Sequence, residues 1–394
     1  MMSLARKSAP LYARCGLSEG RRKSAIILSG GGAYGAYEVG VLKALLTGKS
    51  PATGYRPLVP DIVSGTSIGA YNSTYMVSRL AAGGAQTAHD LEQLWLERIA
   101  GGPDACGNGM FRIRLDPAEY TQTACYIPDP LRPLRTTAQD AVYFAAQLMA
   151  RTISAMRSRG PLLARAVTEV DLTALFDTEP FYDLIRETID FDAVYRSPIA
   201  LSISATVWQT GRPRQFDNVS RTVTARSVQA SASMPGVLPP TFIDGEPHVD
   251  GGLSRNTPLK PAIAAGAEVV HIVFLDPRVR DIPMRLPLST MTEMYRMSAI
   301  LLADETRSQM VEIAQMNRGD SKDHRPAEVY VYRPAPEILE GLGGFLNFER
   351  SYVEKLIDAG YQDAVNHSGK PDLDVDTARA LFPAGLGGSA MERR

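Results

Sequence analysis

Short apolar runs alternate along this chain with stretches whose apolar positions recur every three or four residues. The first run, Ala25 to Leu28, predicts a buried strand, and Val39, Leu42, Leu45 and Leu46 then fall at helical spacing over 36–46. "PDIVSG" at 60–65 predicts a second strand, followed over 68–82 by a helix rich in small residues and able to pack closely. Residues 100–130 are dense in Gly, Pro and Asp and read as an irregular excursion. Beyond it, Val142, Ala145, Met149, Ile153 and Met156 mark one face of a helix over 137–157.

A further helical region, 178–195, carries Phe181, Leu184, Ile185 and Ile189. "PIALSISATVW" and "RPRQFDN", joined through Gly211, predict a hairpin, and Asp244-Gly245 turns a second one whose strand 246–249 delivers Asp250 to a loop. The apolar run 267–275, bounded by Gly266 and Pro277, is a buried strand. Over 289–317 the positions Met291, Met294, Met297, Ile300 and Leu301 follow a helical pattern and read as core packing rather than a cofactor box. A strand at 327–333 and a helix at 349–365 close the series. Strands alternating with helices predict an α/β fold, a three-layer α/β/α sandwich around a mainly parallel sheet, with a helical insertion at about 100–170. The implied organisation is a basic leader over 1–23, one α/β domain over 24–367 and a loosely packed tail over 368–394.

Composition changes this picture little. The chain has 394 residues, 44% hydrophobic and 22% charged, with a net charge of -1, so it belongs among ordinary globular proteins. That balance excludes nucleic acid as the main partner, which would need clustered uncompensated Lys and Arg. Cys15, Cys106 and Cys125 are odd in number and lack C-x-x-C spacing, which points away from a disulfide framework or a zinc site. No run approaches a membrane span, and no signal-type apolar region follows the basic leader, so a cytoplasmic setting is expected. Local charge is more telling. Six Arg and a single acid, Asp140, lie between 132 and 165. The helix there has two readings: a core-packed helix with solvated arginines, which is the ordinary one, or an interfacial element in peripheral contact with a membrane.

The chemistry concentrates near the N-terminus. Gly65-Thr66-Ser67-Ile68-Gly69 is a G-x-S-x-G pattern at the junction of a predicted strand and helix, where two glycines relieve crowding around a sharp turn that projects the serine hydroxyl. As a plain structural feature, Ser67 would be a helix N-cap. "SGGGAYG" at 29–35 can be parsed as G-x-G-x-x-G, a dinucleotide cradle, or as an oxyanion loop whose Gly30, Gly31 and Gly32 offer backbone N–H groups at a helix start. The first parsing asks for an acid at the end of the second strand, and Asp61 begins that strand instead. A histidine base would come from His89, His248, His271, His324 or His367; only His324 lies in a polar, loop-like context, which would make a Ser-His-Asp α/β-hydrolase the rival esterase. "HVDGGLSRNTP" offers Asp250 ahead of two glycines. His248, two positions away on the same strand face, reads as a satisfied histidine, and Asn256 as a structural residue.

Taken in order, "GGGAYG", "GTSIG", "SASMPGVLPP" and "DGGLSRNTP" resemble the patatin-like phospholipase family over about residues 24–275. The resemblance implies a patatin-like α/β fold and a lipid acyl hydrolase of phospholipase A or lysophospholipase type. It also implies a catalytic dyad of Ser67 and Asp250 without histidine, an oxyanion segment at Gly30, Gly31 and Gly32, and elbow glycines Gly65 and Gly69. Neither metal nor cofactor is expected, and a glycerolipid or phospholipid is the expected substrate. One position departs: the family commonly has Arg or Lys where Tyr34 stands, and Tyr supplies only a hydroxyl and an aromatic face.

Overall fold

Residues 25–28 are apolar without alternation because the strand they form, β1 (Ser24–Leu28), is covered on both faces. The computed structural model describes residues 21–101, 108–114, 131–157, 176–276, 290–317, 326–339 and 341–373. Its other strands are β2 (Ile62–Thr66), β3 (Arg112–Ile113), β4 (Phe176–Asp177), β5 (Ala200–Val207), β6 (Pro213–Asp217), β7 (Thr241–Ile243), β8 (Glu246–Asp250), β9 (Val269–Val273) and β10 (Glu328–Tyr332). The helices are α1 (Gly35–Leu46), α2 (Ile68–Arg79), α3 (Gly84–Leu94), α4 (Arg132–Arg157), α5 (Glu179–Thr188), α6 (Phe191–Arg196) and α7 (Ala225–Ser231). After them come α8 (Gly252–Arg255), α9 (Leu259–Ala264), α10 (Thr290–Gln315), α11 (Gly341–Phe345) and α12 (Arg350–Val365).

The main sheet runs β10-β9-β1-β2-β5-β8-β7, with β6 also paired to β5. From β10 to β5 every pairing is parallel; β5 pairs antiparallel with β6 and β8, and β7 with β8. Alternate residues of β1 feed two separate cores. Ile26 and Leu28 pack with residues of α1, α2 and α12, while Ala25 and Ile27 pack with Ala262 and Ile263 of α9 and Ile313 of α10. Helices on both faces of a mainly parallel sheet are the expected three layers. Both predicted hairpins form, β5–β6 through Gly211 and β7–β8 through Asp244 and Gly245, whose φ values of 53° and 81° suit a tight two-residue turn.

Several elements differ from the reading of the sequence. The helical region 178–195 is two helices, because Ile189 is extended and the Asp190 carboxylate accepts the Ala193 N–H at 2.9 Å, starting α6 afresh. Met297, Ile300 and Leu301 are exposed rather than in the core; α10 buries instead the side that carries Ala299, Ile313 and Ala314. The side chains of Met291 and Met294 are not among those described, and Cys15, Cys106 and Cys125 lie outside the described residues, as does most of 100–130. Within the stretch read as a leader, residues 21–23 are tied down: Arg21 pairs with Asp61, the Arg22 guanidinium with Glu328, and Lys23 Nζ donates to the Ala265 carbonyl. Within the stretch read as a tail, the Leu373 carbonyl accepts the Val329 N–H at 2.8 Å.

Candidate active site

Strand β2 stops at Thr66, and the chain reverses into α2 through Ser67, whose φ of 56° and ψ of -124° lie in a region that side-chain-bearing residues rarely adopt. The strain is held by close packing. A Cβ on Gly65 would sit 2.3 Å from the Gly69 carbonyl oxygen, and one on Gly69 would sit 2.6 Å from that of Leu28, so the elbow closes only with glycine at both positions. The Ser67 N–H donates to Ser231 Oγ at 2.8 Å, and that hydroxyl donates on to the Ser204 carbonyl at 2.6 Å.

Strand β5 brings the serine and the aspartate together. Its Ser204 pairs with Thr66 of β2 on one edge and with Gln215 of β6 on the other; the next residue, Ala205, pairs with Asp250 and Arg214. The ends of β2 and β8 therefore abut on the same edge of β5, one arriving parallel and the other antiparallel. Ser67 Oγ donates to Asp250 Oδ2 at 2.6 Å, and Oδ1 of the same carboxylate accepts the Gly252 N–H at 2.7 Å. Burial pushes Asp250 up to about 6, against the lowering effect of these two hydrogen bonds.

The glycine turn lies across from this pair. Gly30 approaches so closely that an added Cβ would be 3.0 Å from the Ser67 Cβ. Its N–H is committed to the Asn256 carbonyl at 3.3 Å; of the two glycines that follow, at the start of the helical turn before α1, Gly31 lines the cavity beside Ser67 and Gly32 is not among its lining residues. Asn256 also clamps the turn from its side chain. Its Nδ2 donates to the Gly30 carbonyl at 3.2 Å and to both oxygens of Asp276, at 2.8 and 2.9 Å.

Ser67, Asp250, Gly30 and Gly31 open onto one cavity of about 220 Å³. Its other walls are largely apolar, from Met234, Pro235, Leu253, Leu275, Leu302 and Phe345. Tyr34 lines it too, its ring edge-on to Phe345 at 6.3 Å, so an aromatic wall stands at this position. Two further acids reach the cavity. Burial raises Asp276 to about 6, opposed by Asn256 and Arg333; burial and then the Asp276 charge raise Glu305 to about 7.

Of the five histidines, none that is described lines the cavity, and His324 lies outside the described residues. His248 is buried and occupied: Nδ1 contacts the Glu246 carbonyl at 2.9 Å and Nε2 meets Arg214 at 3.3 Å. Among the described residues no group of His, Cys, Asp and Glu could hold a metal ion. Sequence reasoning missed Ser231, Asp276 and Glu305. Asp276 carried a signal, since it follows the carboxyl end of a parallel strand, where α/β sheets place their sites. Glu305 carried none, being one acid among several on a long helix.

A serine presented by a strand-to-helix elbow at the carboxyl end of a mainly parallel sheet places the molecule among the α/β proteins built around such an elbow. The family model of the patatin-like phospholipases matches residues 26–263, and the chain belongs to that family. It is similar to two uncharacterized NTE family proteins, one from Mycobacterium tuberculosis and one from Mycobacterium bovis. Each is 23% identical over 234 residues, which cover 54% of this chain. The chain spans less than two thirds of these relatives, the matched part being 64% of their length. The crystal structure of VipD from Legionella pneumophila overlaps 86% of this chain and 67% of its own at 13% identity, with a TM-score of 0.30. That overlap is too loose to bear on the site.

Proposed function

We propose that this chain hydrolyses a fatty-acyl ester of a glycerolipid, in the manner of a phospholipase A or lysophospholipase, through Ser67 and Asp250. The observation that carries the reading is the 2.6 Å hydrogen bond from Ser67 Oγ to Asp250, made at the floor of an apolar cavity beside the glycine turn. Asp250 accepts the hydroxyl proton as Ser67 Oγ bonds to the ester carbonyl carbon, and the N–H groups of Gly31 and Gly32 stabilise the resulting oxyanion. Collapse breaks the ester C–O bond, Asp250 returns the proton to the departing alcohol, and an acyl-serine remains. Water then adds to the acyl carbon while Asp250 takes its proton. Release of the fatty acid gives that proton back to Ser67.

A carboxylate is ordinarily too weak a base for this task. Desolvation lifting Asp250 to about 6 supports the role, because it brings the proton affinity toward the working pH. The apolar walls suit an acyl chain, and the Tyr34 wall suits a head group that asks for no cation.

A fluorophosphonate probe tests nucleophile, access and oxyanion geometry together. It is expected to label Ser67, to leave Ser67→Ala unlabelled, and to find both Ser67→Ala and Asp250→Asn inactive on a chromogenic fatty-acyl ester yet folded by circular dichroism. Wild-type turnover in either variant would overturn the dyad. The His324→Ala variant is expected to stay active, where a histidine triad would be silenced. A dinucleotide site is disfavoured because β2 ends in Gly65-Thr66, while Asp61 sits at its opposite end and accepts the Ser24 N–H at 2.8 Å. Titration with NAD is expected to show no saturable binding.

A further inference from the structure

Helix α4 buries one carboxylate and leaves most of its length exposed. Its one acid, Asp140, is fully buried and accepts from Arg112 Nη2 at 3.0 Å and Arg114 Nη1 at 2.7 Å, while Arg112 Nε also donates to Asp177 at 2.8 Å. The Arg114 guanidinium lies 3.9 Å over the Tyr143 ring, so the helix is fastened to the β3–β4 pair by charge and stacking. The outward side carries Leu134, Val142, Leu148, Met149, Ile153 and Met156, each between 45% and 81% exposed. Positions 142, 149, 153 and 156 recur at helical spacing and make a stripe along much of the helix. A helix packed on a protein core has the opposite arrangement.

The charge that α4 itself exposes has one sign. With Asp140 turned inward, the described charged side chains that α4 exposes are Arg135 and Arg157, while Arg151 is half-buried on the side of Asp140. An apolar stripe flanked by cations matches the boundary between acyl chains and anionic head groups. Among the described residues no helix is long and apolar enough to cross a membrane, so the fitting geometry is a helix lying in the surface plane. A second copy of the chain is a poorer occupant, because two-fold pairing of this face would bring the same arginines together. The cavity mouth is compatible with a lipid surface, since Leu253 and Leu301 line the cavity and are themselves exposed.

We propose that the outer face of α4 docks the protein on an anionic lipid surface. Docking requires neither Ser67 nor Asp250, so its failure and that of the proposed chemistry are separable. The full chain bearing Ser67→Ala is sedimented with phosphatidylcholine vesicles with and without phosphatidylglycerol. Binding is expected only to the anionic vesicles, weakening with salt. In the same background, Val142→Ser with Met149→Ser and Ile153→Ser, or Arg135→Glu with Arg157→Glu, is expected to weaken binding by about tenfold or more. With Ser67 intact, the same surface changes should leave turnover of a water-soluble short-chain ester unaltered. Vesicle binding that survives both sets of changes would overturn the proposal. So would absence of wild-type binding, or a dimer that the serine substitutions convert to monomer, since the stripe would then be an interface between copies.

Discussion

At the scale of single residues, the site depends on keeping a carboxylate where water is scarce. In the proposed mechanism Asp250 must be ionised to accept the Ser67 proton, and burial pushes it up to about 6. Turnover of a soluble ester is therefore expected to rise through about pH 6 and level off above it, which a kcat/KM profile checks; activity falling over that range would exclude Asp250 as the base. In the same mechanism Asn256 would act through the glycine turn. Its amide joins the Gly30 carbonyl to Asp276, so Asn256→Ala loosens the turn, which keeps only the backbone bond from the Gly30 N–H, and removes the amide donor from a buried carboxylate. The expected result is a kcat lowered by about ten- to a hundredfold with KM little changed, and destabilisation on the order of 1–3 kcal/mol by urea unfolding. A change in KM alone would assign Asn256 to substrate binding. Asn256 stands in the sequence as one polar residue of a loop, and only contact with Gly30 and Asp276 gives it this position.

At the scale of elements, periodicity told strand from helix but not what each element would face. The glycines of the elbow are tied to contacts between elements: an alanine at Gly69 would press on the Leu28 carbonyl and part α2 from β1. Gly69→Ala is expected to cost about 2 kcal/mol or more in stability, read from its denaturation midpoint. Helix α4 shows the limit of pattern reading. The regular spacing of Val142, Met149, Ile153 and Met156 is what a core helix would have, yet the buried Asp140 pair turns that face to solvent. Replacing Asp140 by Ala leaves Arg112 and Arg114 with Asp177 alone as a paired carboxylate, which should cost less than the roughly 3–5 kcal/mol of a fully broken buried ion pair. Hydrogen exchange across 132–157 should accelerate while β1 and β2 keep their protection. Uniform acceleration would mean that α4 is integral to the main fold. The short helix α7 escaped notice because its seven residues hold little pattern and its boundary is set by a capping box between Thr224 and Ser227.

At the scale of the whole molecule, three acids converge on one cavity, and that arrangement has a cost that varies with pH. Asp250 and Asp276 are raised to about 6 and Glu305 to about 7, chiefly by burial, so the folded chain retains protons that the unfolded chain releases near pH 4. Their contribution to stability is fully present below about pH 4 and is lost as pH rises through 6 to 7. For the two aspartates it is on the order of 2–3 kcal/mol each. Urea midpoints should thus fall between about pH 4.5 and about pH 8, and Asp250→Asn should flatten the slope. An unchanged slope would place Asp250 in a more solvated setting than its burial indicates.

By itself the sequence determined the alternation of strands and helices, both hairpins and the family, since runs, turns and glycine spacings are local properties of the chain. The four motifs could also be set in order along it. What only the tertiary structure decided is which groups meet. Ser67 and Asp250 lie 183 positions apart and touch because β5 seats the ends of β2 and β8 on one edge; Asp276 is tied through Asn256 to the Gly30 turn beside them. Burial, and with it the proton affinity of each acid, is likewise a property of the assembled molecule. So is the outward turn of α4, which the buried Asp140 pair settles against the pattern of its own apolar residues.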